Sequence, residues 1–325
     1  MSVVASAGLP FHPTAEAVLG PLEERAASGP LAVRDLVGVL AAQSVGLVRP
    51  LALRLGLVGP DGVLGPQGAA VAEAVGDDVG FAVFCDAGVR EAERMGAAGV
   101  LCEHLLLGLL RLGGDAALLA RARQEFQLLR GERALDEYEK VPPVARPAAA
   151  EQPFVVLVAG APGTGKSTLA EAVATALRAP VFSADWQFGA LVPFGAIRND
   201  NGVPLGDVML TALTVRQLQL GLSAILDTTG HQAEIRRRRR SLAERHGGRF
   251  VGVECVCSDE SAHRGRVEGR VRGIPGWPST VTWEHVGRAQ GRWELWDDPH
   301  LVVDSAVTAP EAALRRVLAE IRAGD

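Results

Sequence analysis

The chain has 325 residues, enough for two ordinary domains that each bury a core of their own. An apolar content of 48% and a charged content of 22% are typical of a globular protein in water. A formal net charge of −5 gives no electrostatic case for nucleic acid as the main partner, so a nucleic-acid-binding role is disfavoured from the start.

The N-terminus lacks the charged segment and apolar segment of a signal peptide. No apolar run approaches the length of about 18 residues that a transmembrane helix needs. We therefore expect a cytoplasmic protein with no membrane partner. The four cysteines, Cys85, Cys102, Cys255 and Cys257, are interpreted as buried free thiols, because two of them on one predicted strand fall short of a zinc site.

The first half, residues 1–140, is predicted to be an all-helical domain made of two repeats offset by 70 residues. Without gaps, Phe11 falls on Phe81 and Glu23 falls on Glu93. Both copies have the pattern of a helix, a short glycine-containing turn and a second helix.

The second copy contains the segment Glu103-His-Leu-Leu-Leu-Gly-Leu-Leu110. Over residues 10–130 this half resembles the doubled N-terminal domain of Clp ATPases. That resemblance implies a module that docks a protein partner, and a domain kept for stability or dimerisation remains the alternative. Glu103 and His104 are interpreted as helix-start residues, since a carboxylate there suits the helix dipole.

Residues 141–153 are rich in proline and alanine and have no periodic pattern, which predicts an extended linker. Strand and helix patterns alternate after it. Residues 154–325 are therefore predicted to form an α/β domain with a parallel five-stranded sheet flanked by helices.

The apolar run Phe154–Ala159 predicts a strand covered on both faces. The G-x-x-x-x-G-K-[ST] motif follows it directly, and a helical pattern follows the motif. In such a P-loop, glycines let backbone N–H groups face the phosphates of ATP, the lysine reaches the β- and γ-phosphates, and the serine hydroxyl holds Mg²⁺. The predicted ATP-binding residues are Gly160, Ala161, Pro162, Gly163, Thr164, Gly165, Lys166, Ser167 and Thr168.

Two further predicted strands, 180–185 and 222–227, end in Asp185 and Asp227. Parallel strands open onto one carboxyl edge, where ligands bind. Asp185 is the candidate general base for an attacking hydroxyl, and Asp227 is the candidate second ligand of Mg²⁺ beside Ser167. No glutamate follows Asp227, which excludes an AAA+ unfoldase, and the N-K-x-D motif of GTPases is absent.

A fourth predicted strand, 250–257, leads into a segment that carries Arg266 and Arg270. Four residues apart on a helix, these arginines share a face and can close together over the transferring phosphoryl group. A short strand, Leu301–Asp304, and a C-terminal helix complete the predicted sheet.

With this order of motifs, residues 154–325 resemble the AAA_33-like small P-loop kinases, which include polynucleotide kinase, zeta toxin and chloramphenicol phosphotransferase. The resemblance implies that Asp185 is the general base and that the lid arginines Arg266 and Arg270 contact the donor phosphates. One departure stands out: Phe188 occupies the position at which polynucleotide kinases carry an arginine that grips the acceptor phosphate.

Four more residues are candidates for acceptor binding. Trp186, Phe188 and Phe194 line an acceptor pocket or belong to the core, and His231 follows the Asp227 strand end. The run Arg236–Arg240 is interpreted as a solvated, ion-paired helix face rather than a nucleic-acid contact. Residues 269–280 are predicted to form a mobile lid or a simple loop.

The sequence thus predicts a Mg²⁺-dependent phosphotransferase that moves the γ-phosphoryl group of ATP to a hydroxyl of a small molecule. By analogy with relatives, that molecule is an antibiotic or a nucleoside. Two alternatives remain: a 5′-hydroxyl polynucleotide kinase, and a non-enzymatic ATP-dependent switch whose Clp-like half binds a protein.

Overall fold

The computed structural model describes residues 9–145, 151–198, 200–268, 273–277 and 281–323. The chain divides into two compact units, unit 1 up to residue 132 and unit 2 from residue 133. In the part of the chain that is described, no helix is long and apolar enough to cross a membrane.

Unit 1 is helical, as predicted, with two very short strands. Its elements are α1 (Pro13–Ala26), β1 (Leu31–Ala32), α2 (Val33–Ala41), α3 (Val48–Arg54), α4 (Pro66–Val75), β2 (Asp78–Val79), α5 (Phe81–Arg94), α6 (Cys102–Leu112) and the first part of α7 (Ala116–Glu139). The two-residue strands are a small departure from the expected all-helical domain.

Two backbone pairings join distant parts of unit 1. β1 pairs antiparallel with β2, with Leu31 opposite Val79. Val100 donates its amide to the carbonyl of Pro10 at 2.9 Å and accepts from the amide of His12 at 2.9 Å. Each pairing joins the segment before one predicted repeat's first helix to the segment before the other's second helix.

The core of unit 1 forms where α5 and α6 cross. A Cβ on Gly108 would lie 2.5 Å from the backbone nitrogen of Gly88, so the two helices approach more closely than any side chain would permit. The leucines of α6 that flank Gly108 in sequence, from Leu105 to Leu110, are buried. The leucine-rich segment of α6 therefore serves the core.

The two polar residues at the start of α6 hold nearby backbone. Glu103 accepts a hydrogen bond from the amide of Leu47, and His104 Nδ1 accepts one from the amide of Leu101 at 3.0 Å. Burial lowers the pKa of His104 to about 4, so its imidazole is neutral at pH 7. These contacts agree with the interpretation of both as helix-start residues.

Unit 2 alternates strands and helices. After the end of α7 come β3 (Phe154–Gly160), α8 (Lys166–Leu177), β4 (Val181–Ser183), α9 (Ala184–Leu191), a 3-10 turn (Val192–Phe194), α10 (Gly202–Gln219), β5 (Ala224–Asp227), α11 (Ala233–Arg245), β6 (Arg249–Val256), α12 (Glu260–Glu268), α13 (Trp283–Gly291), β7 (Leu301–Asp304) and α14 (Pro310–Arg322).

The five strands form one sheet in the order β4-β5-β3-β6-β7, and every pairing is parallel. This confirms the predicted five-stranded parallel sheet. Central strand β3 is buried on both faces: Val156 and Val158 pack with one apolar cluster, while Val155 and Leu157 pack with another. Helices on both faces explain the continuous apolar run of β3, and the loops at its carboxyl edge are left to form a site.

The second strand is shorter than predicted. Instead of running to Asp185, β4 ends at Ser183, and Asp185 lies in the first turn of α9. A carboxylate at this position suits the positive end of the helix dipole. Asp185 therefore reaches the carboxyl edge of the sheet from a helix rather than from a strand.

Candidate active site

The P-loop joins β3 to α8, as predicted. Gly163 has a φ of +86°, a left-handed conformation that favours glycine. A Cβ added there would lie 2.5 Å from Cγ2 of Val267, a residue of α12. The loop is therefore closely covered by α12, and only glycine fits at this point.

Side chains hold the curl of the P-loop in place. The hydroxyl of Thr164 donates to the carbonyl of Ala161 at 2.9 Å. Nε2 of His263 lies 2.7 Å from the carbonyl oxygen of Pro162, a contact in which the ring nitrogen donates. His263 is 2% exposed and was missed by sequence reasoning, because nothing in its local pattern indicates a contact 101 residues away.

A cavity of about 250 Å³ opens at the carboxyl edge beside the P-loop. Lys166, Asp185 and Asp227 all line it, so the structure brings together the predicted phosphate-binding lysine, general base and metal ligand. Lys166 and Asp227 are almost fully buried, at 6% and 5% exposure. Electrostatic interactions are strengthened in such a poorly solvated site.

Asp227 and Ser167 have the chemistry of a Mg²⁺ site. Oδ1 of Asp227 is buried without a hydrogen-bond partner among the described residues, and such an orphaned carboxylate oxygen calls for a cation or water. Ser167, 7% exposed, lies at the start of α8. The described residues contain no group of three or more His, Cys, Asp or Glu that could hold a metal. One carboxylate and one hydroxyl instead fit Mg²⁺, which is usually completed by phosphates and water.

The three predicted aromatic residues are placed differently. Phe188 lines the cavity, and its ring lies 5.3 Å from that of Trp277. Trp186 and Phe194 are 55% and 82% exposed, and neither belongs to the cavity wall or to the described cores. Only Phe188 is therefore positioned to contact an acceptor in this cavity.

His231 lines the cavity together with Asp207, an acidic residue that sequence reasoning missed. Burial lowers the pKa of His231, against the opposing effect of Asp207. Asp207 is itself held by Arg239, whose Nη2 donates to Asp207 Oδ1 at 2.7 Å. Asp207 lies in the middle of α10, where no strand end or motif marks it.

All five arginines of the run in α11 make contacts within unit 2. Arg236 donates to the carbonyls of Gly230, Glu294 and Leu295 at 2.7–2.8 Å, and its guanidinium lies 4.6 Å from the centre of the Trp296 ring. Ion pairs occupy the others: Arg237 with Glu234 and Asp297, Arg238 with Asp136 and Glu139, Arg239 with Asp207, and Arg240 with Asp298.

The prediction of an ion-paired helix face is therefore correct for pairing and wrong for solvation at two positions. Arg236 and Arg239 are 0% and 2% exposed, because one face of α11 packs against the protein. Arg236 also ties the loop that carries His231 to the segment after α13.

The predicted lid is only partly described. Arg266 donates to the hydroxyl and carbonyl oxygens of Ser305 at 2.7 and 3.1 Å. Ser305 in turn lies against the P-loop, since its Cβ is 3.7 Å from where a Cβ on Gly165 would be. Arg270 and most of the segment 269–280 lie outside the described residues, which cover only 273–277 of it.

Comparison with known proteins gives a family match over part of unit 2. Residues 155–295 match the AAA_33 family, described as an AAA domain. No curated protein matches the chain.

Solved structures similar to about half of the chain include a sugar kinase from a Janibacter species, with 19% identity, a TM-score of 0.40 and coverage of 53% of this chain and 95% of that one. A gluconokinase from Sinorhizobium meliloti has 20% identity and a TM-score of 0.38, and the match covers 53% of this chain and 92% of that one. Kti12 from Chaetomium thermophilum in complex with ADP-AlF3 has 18% identity and a TM-score of 0.41, and the match covers 53% of this chain and 98% of that one. Identities and scores at this level assign no activity. The family match covers residues 155–295, which is less than half of the 325-residue chain.

Proposed function

We propose that unit 2 transfers the γ-phosphoryl group of ATP to a hydroxyl group of a small molecule. The observation that carries the proposal is the convergence of Lys166, Asp185 and Asp227 on one cavity next to the P-loop. Lys166 stabilises charge on the β- and γ-phosphates, while the opposite wall of the cavity receives the acceptor.

Asp185 acts as the general base. It takes the proton of the acceptor hydroxyl as the acceptor oxygen bonds to the γ-phosphorus, while the bond from that phosphorus to the bridging oxygen of ADP breaks. Phosphoryl transfer needs little covalent chemistry from the protein, so positioning and charge stabilisation supply most of the rate.

Ser167 and Asp227 would hold Mg²⁺ in this proposal, and the bound ion would supply positive charge to the phosphates. Arg266 contacts Ser305, which lies against the P-loop, and Arg266 and Arg270 are proposed to add positive charge near the donor phosphates.

The polynucleotide kinase alternative has less support. The arginine run of α11, whose positive charge would suit a nucleic acid, is engaged by ion pairs and carbonyl groups. Phe188 lies in the cavity where that alternative needs a cation. A small-molecule acceptor fits these two observations better.

For unit 1, we propose a Clp-like protein-binding module built from two repeats. The twofold pattern of its backbone pairings, β1 with β2 and Val100 with residues 10–12, supports the repeat. The proposed protein binding concerns residues of unit 1 and the proposed phosphoryl transfer concerns residues of unit 2, so a pull-down with unit 1 as bait would not test the kinase.

The test of the phosphotransferase uses mass spectrometry of products formed with ATP, Mg²⁺ and a panel of hydroxyl compounds. Asp185→Asn should lower transfer by about 10²–10⁴-fold, the usual contribution of a general base, while ATP binding stays unchanged. Glu311→Gln is the matched control, since Glu311 is an exposed acid in the first turn of α14. Equal transfer by Asp185→Asn and wild type would refute the assignment of the base.

A further inference from the structure

We propose that the acceptor is an uncharged hydroxyl compound of monosaccharide or nucleoside size, and that Asp207 accepts a hydrogen bond from it. This inference rests on the proposed function and concerns the same cavity. It goes further by naming the charge class of the substrate and the residue that selects it.

The charged groups of the cavity wall are mostly acidic. Asp185, Asp207 and Asp227 face it, and Lys166 is the one cation among the described residues that line it. In the proposed reaction Lys166 contacts the phosphates of ATP, so no lining cation remains for the acceptor. A phosphate, sulfate or carboxylate on the acceptor would therefore find no lining cation with which to pair.

An ion pair fixes the position of Asp207 at the cavity. Its Oδ1 accepts from Arg239 Nη2 at 2.7 Å, and the two side chains are 13% and 2% exposed. Arg239 does not line the cavity, so it neutralises Asp207 from behind while contributing no donor to the acceptor. The remaining carboxylate oxygen of Asp207 is an acceptor for hydroxyl groups rather than a site for an anion.

Arg239 depends on Asp207 to compensate its buried charge. It lies in the interior of α11, and burial of its guanidinium makes the pair with Asp207 its main compensation. The pair is neutral as a whole, so it adds polarity to the wall without adding a net charge.

His231 completes a polar but uncharged corner. Burial lowers its pKa, so the imidazole is neutral at pH 7, although Asp207 opposes the shift. A neutral imidazole can donate to one hydroxyl and accept from another. It offers an anion no positive charge.

The rest of the wall sets the size and shape of the acceptor. Phe188, Val203 and Ile235 add apolar surface to the lining. The cavity, at about 250 Å³, is smaller than the roughly 300–1,000 Å³ of pockets for drug-sized ligands. A single ring with several hydroxyl groups matches a small cavity whose lining includes both apolar and polar side chains.

The experiment compares compounds that share a skeleton and differ in charge: glucose, gluconate and glucosamine, and adenosine against adenosine 5′-monophosphate. Binding to the full chain with Mg²⁺ and a non-hydrolysable ATP analogue is measured by calorimetry, and transfer with ATP is measured by mass spectrometry. We expect an uncharged member to bind and react at least tenfold better than its anionic partner.

A variant that adds a positive charge tests whether the lack of a lining cation causes the preference. Val203 is 42% exposed at the cavity, so Val203→Arg adds a cation without burying it and should improve the anionic member relative to the neutral one by at least tenfold. Leu213→Arg is the matched control, because Leu213 is 37% exposed on the same helix and lies outside the cavity wall. It should leave the ratio unchanged.

Each outcome decides a different point. Preference of the wild type for an anionic member overturns the inference and leaves the phosphotransferase intact. Binding of a neutral member without transfer supports the charge class and overturns the proposed reaction. Binding of none of the compounds would overturn this cavity as a site for acceptors of this size.

Discussion

The pair formed by Arg239 and Asp207 allows a sharp test of the structure through stability. Removing one partner of a buried ion pair leaves an uncompensated charge and costs about 3–5 kcal/mol, whereas removing both is often nearly neutral. Arg239 is 2% exposed and Asp207 is 13% exposed, so solvent screens the pair poorly. We expect Arg239→Met to lower the free energy of unfolding by about 3–5 kcal/mol.

Urea unfolding followed by tryptophan fluorescence measures this loss in unit 2 alone. All five tryptophans of the chain lie between residues 186 and 296. With a typical slope of about 2 kcal/mol per molar urea, the midpoint of Arg239→Met should fall by about 2 M. The double variant Arg239→Met with Asp207→Leu should recover most of it.

Arg237→Met is the matched control from the same arginine run. Arg237 makes two ion pairs, but its side chain is 49% exposed, so its loss should not shift the midpoint measurably. Equal midpoints for Arg239→Met and Arg237→Met would refute the reasoning. So would a double variant as unstable as Arg239→Met.

The pH dependence of Arg239→Met has a definite sign. Burial raises the pKa of Asp207, and Arg239 opposes that shift in the wild type. Without Arg239 the folded-state pKa rises further above the unfolded value. A raised pKa contributes stability that is present below the unfolded pKa and lost as pH rises through the folded pKa. The deficit of the variant should therefore grow as pH rises above the folded-state pKa of Asp207 in the wild type.

Two further predictions concern the P-loop and the thiols. Gly163→Ala should weaken ATP binding by about tenfold in calorimetry, because it forces a Cβ against Val267 at a φ of +86°. Gly287→Ala is the control and should leave the affinity unchanged, because open space surrounds Gly287. Equal affinities for the two variants would contradict the close packing of α12 on the loop. Burial raises the pKa of Cys85 and Cys255 to about 12 and that of Cys102 to about 11. Only Cys257, which is partly exposed, should therefore react with a thiol reagent in the native protein. Labelling of the folded Cys257→Ser variant would contradict this prediction.

Much of unit 2 could be predicted from local patterns. The P-loop motif, the continuous apolar run of β3 and the carboxylate after the third strand each depend on residues close together in the chain, and the structure has the parallel sheet and the shared cavity that they imply. The end of the second strand was predicted two residues too far, because the start of α9 competes with β4 for Ala184 and Asp185.

The acceptor side of the site could not be predicted in the same way. Asp207 lies within a helix and Arg239 within a run of similar arginines, and only their approach across 32 residues makes them a pair. The contact of His263 with Pro162 spans 101 residues. Trp186 and Phe188 looked equivalent in sequence, yet only Phe188 lines the cavity.

The sequence alone determined the nucleotide-binding half of this protein, because phosphate binding by a P-loop uses backbone N–H groups whose geometry is set by a short run of glycines. The tertiary structure alone decided which side chains line the cavity and which of the five arginines are buried. Burial and charge pairing depend on contacts between elements far apart in the chain, and those contacts carry no local sequence pattern.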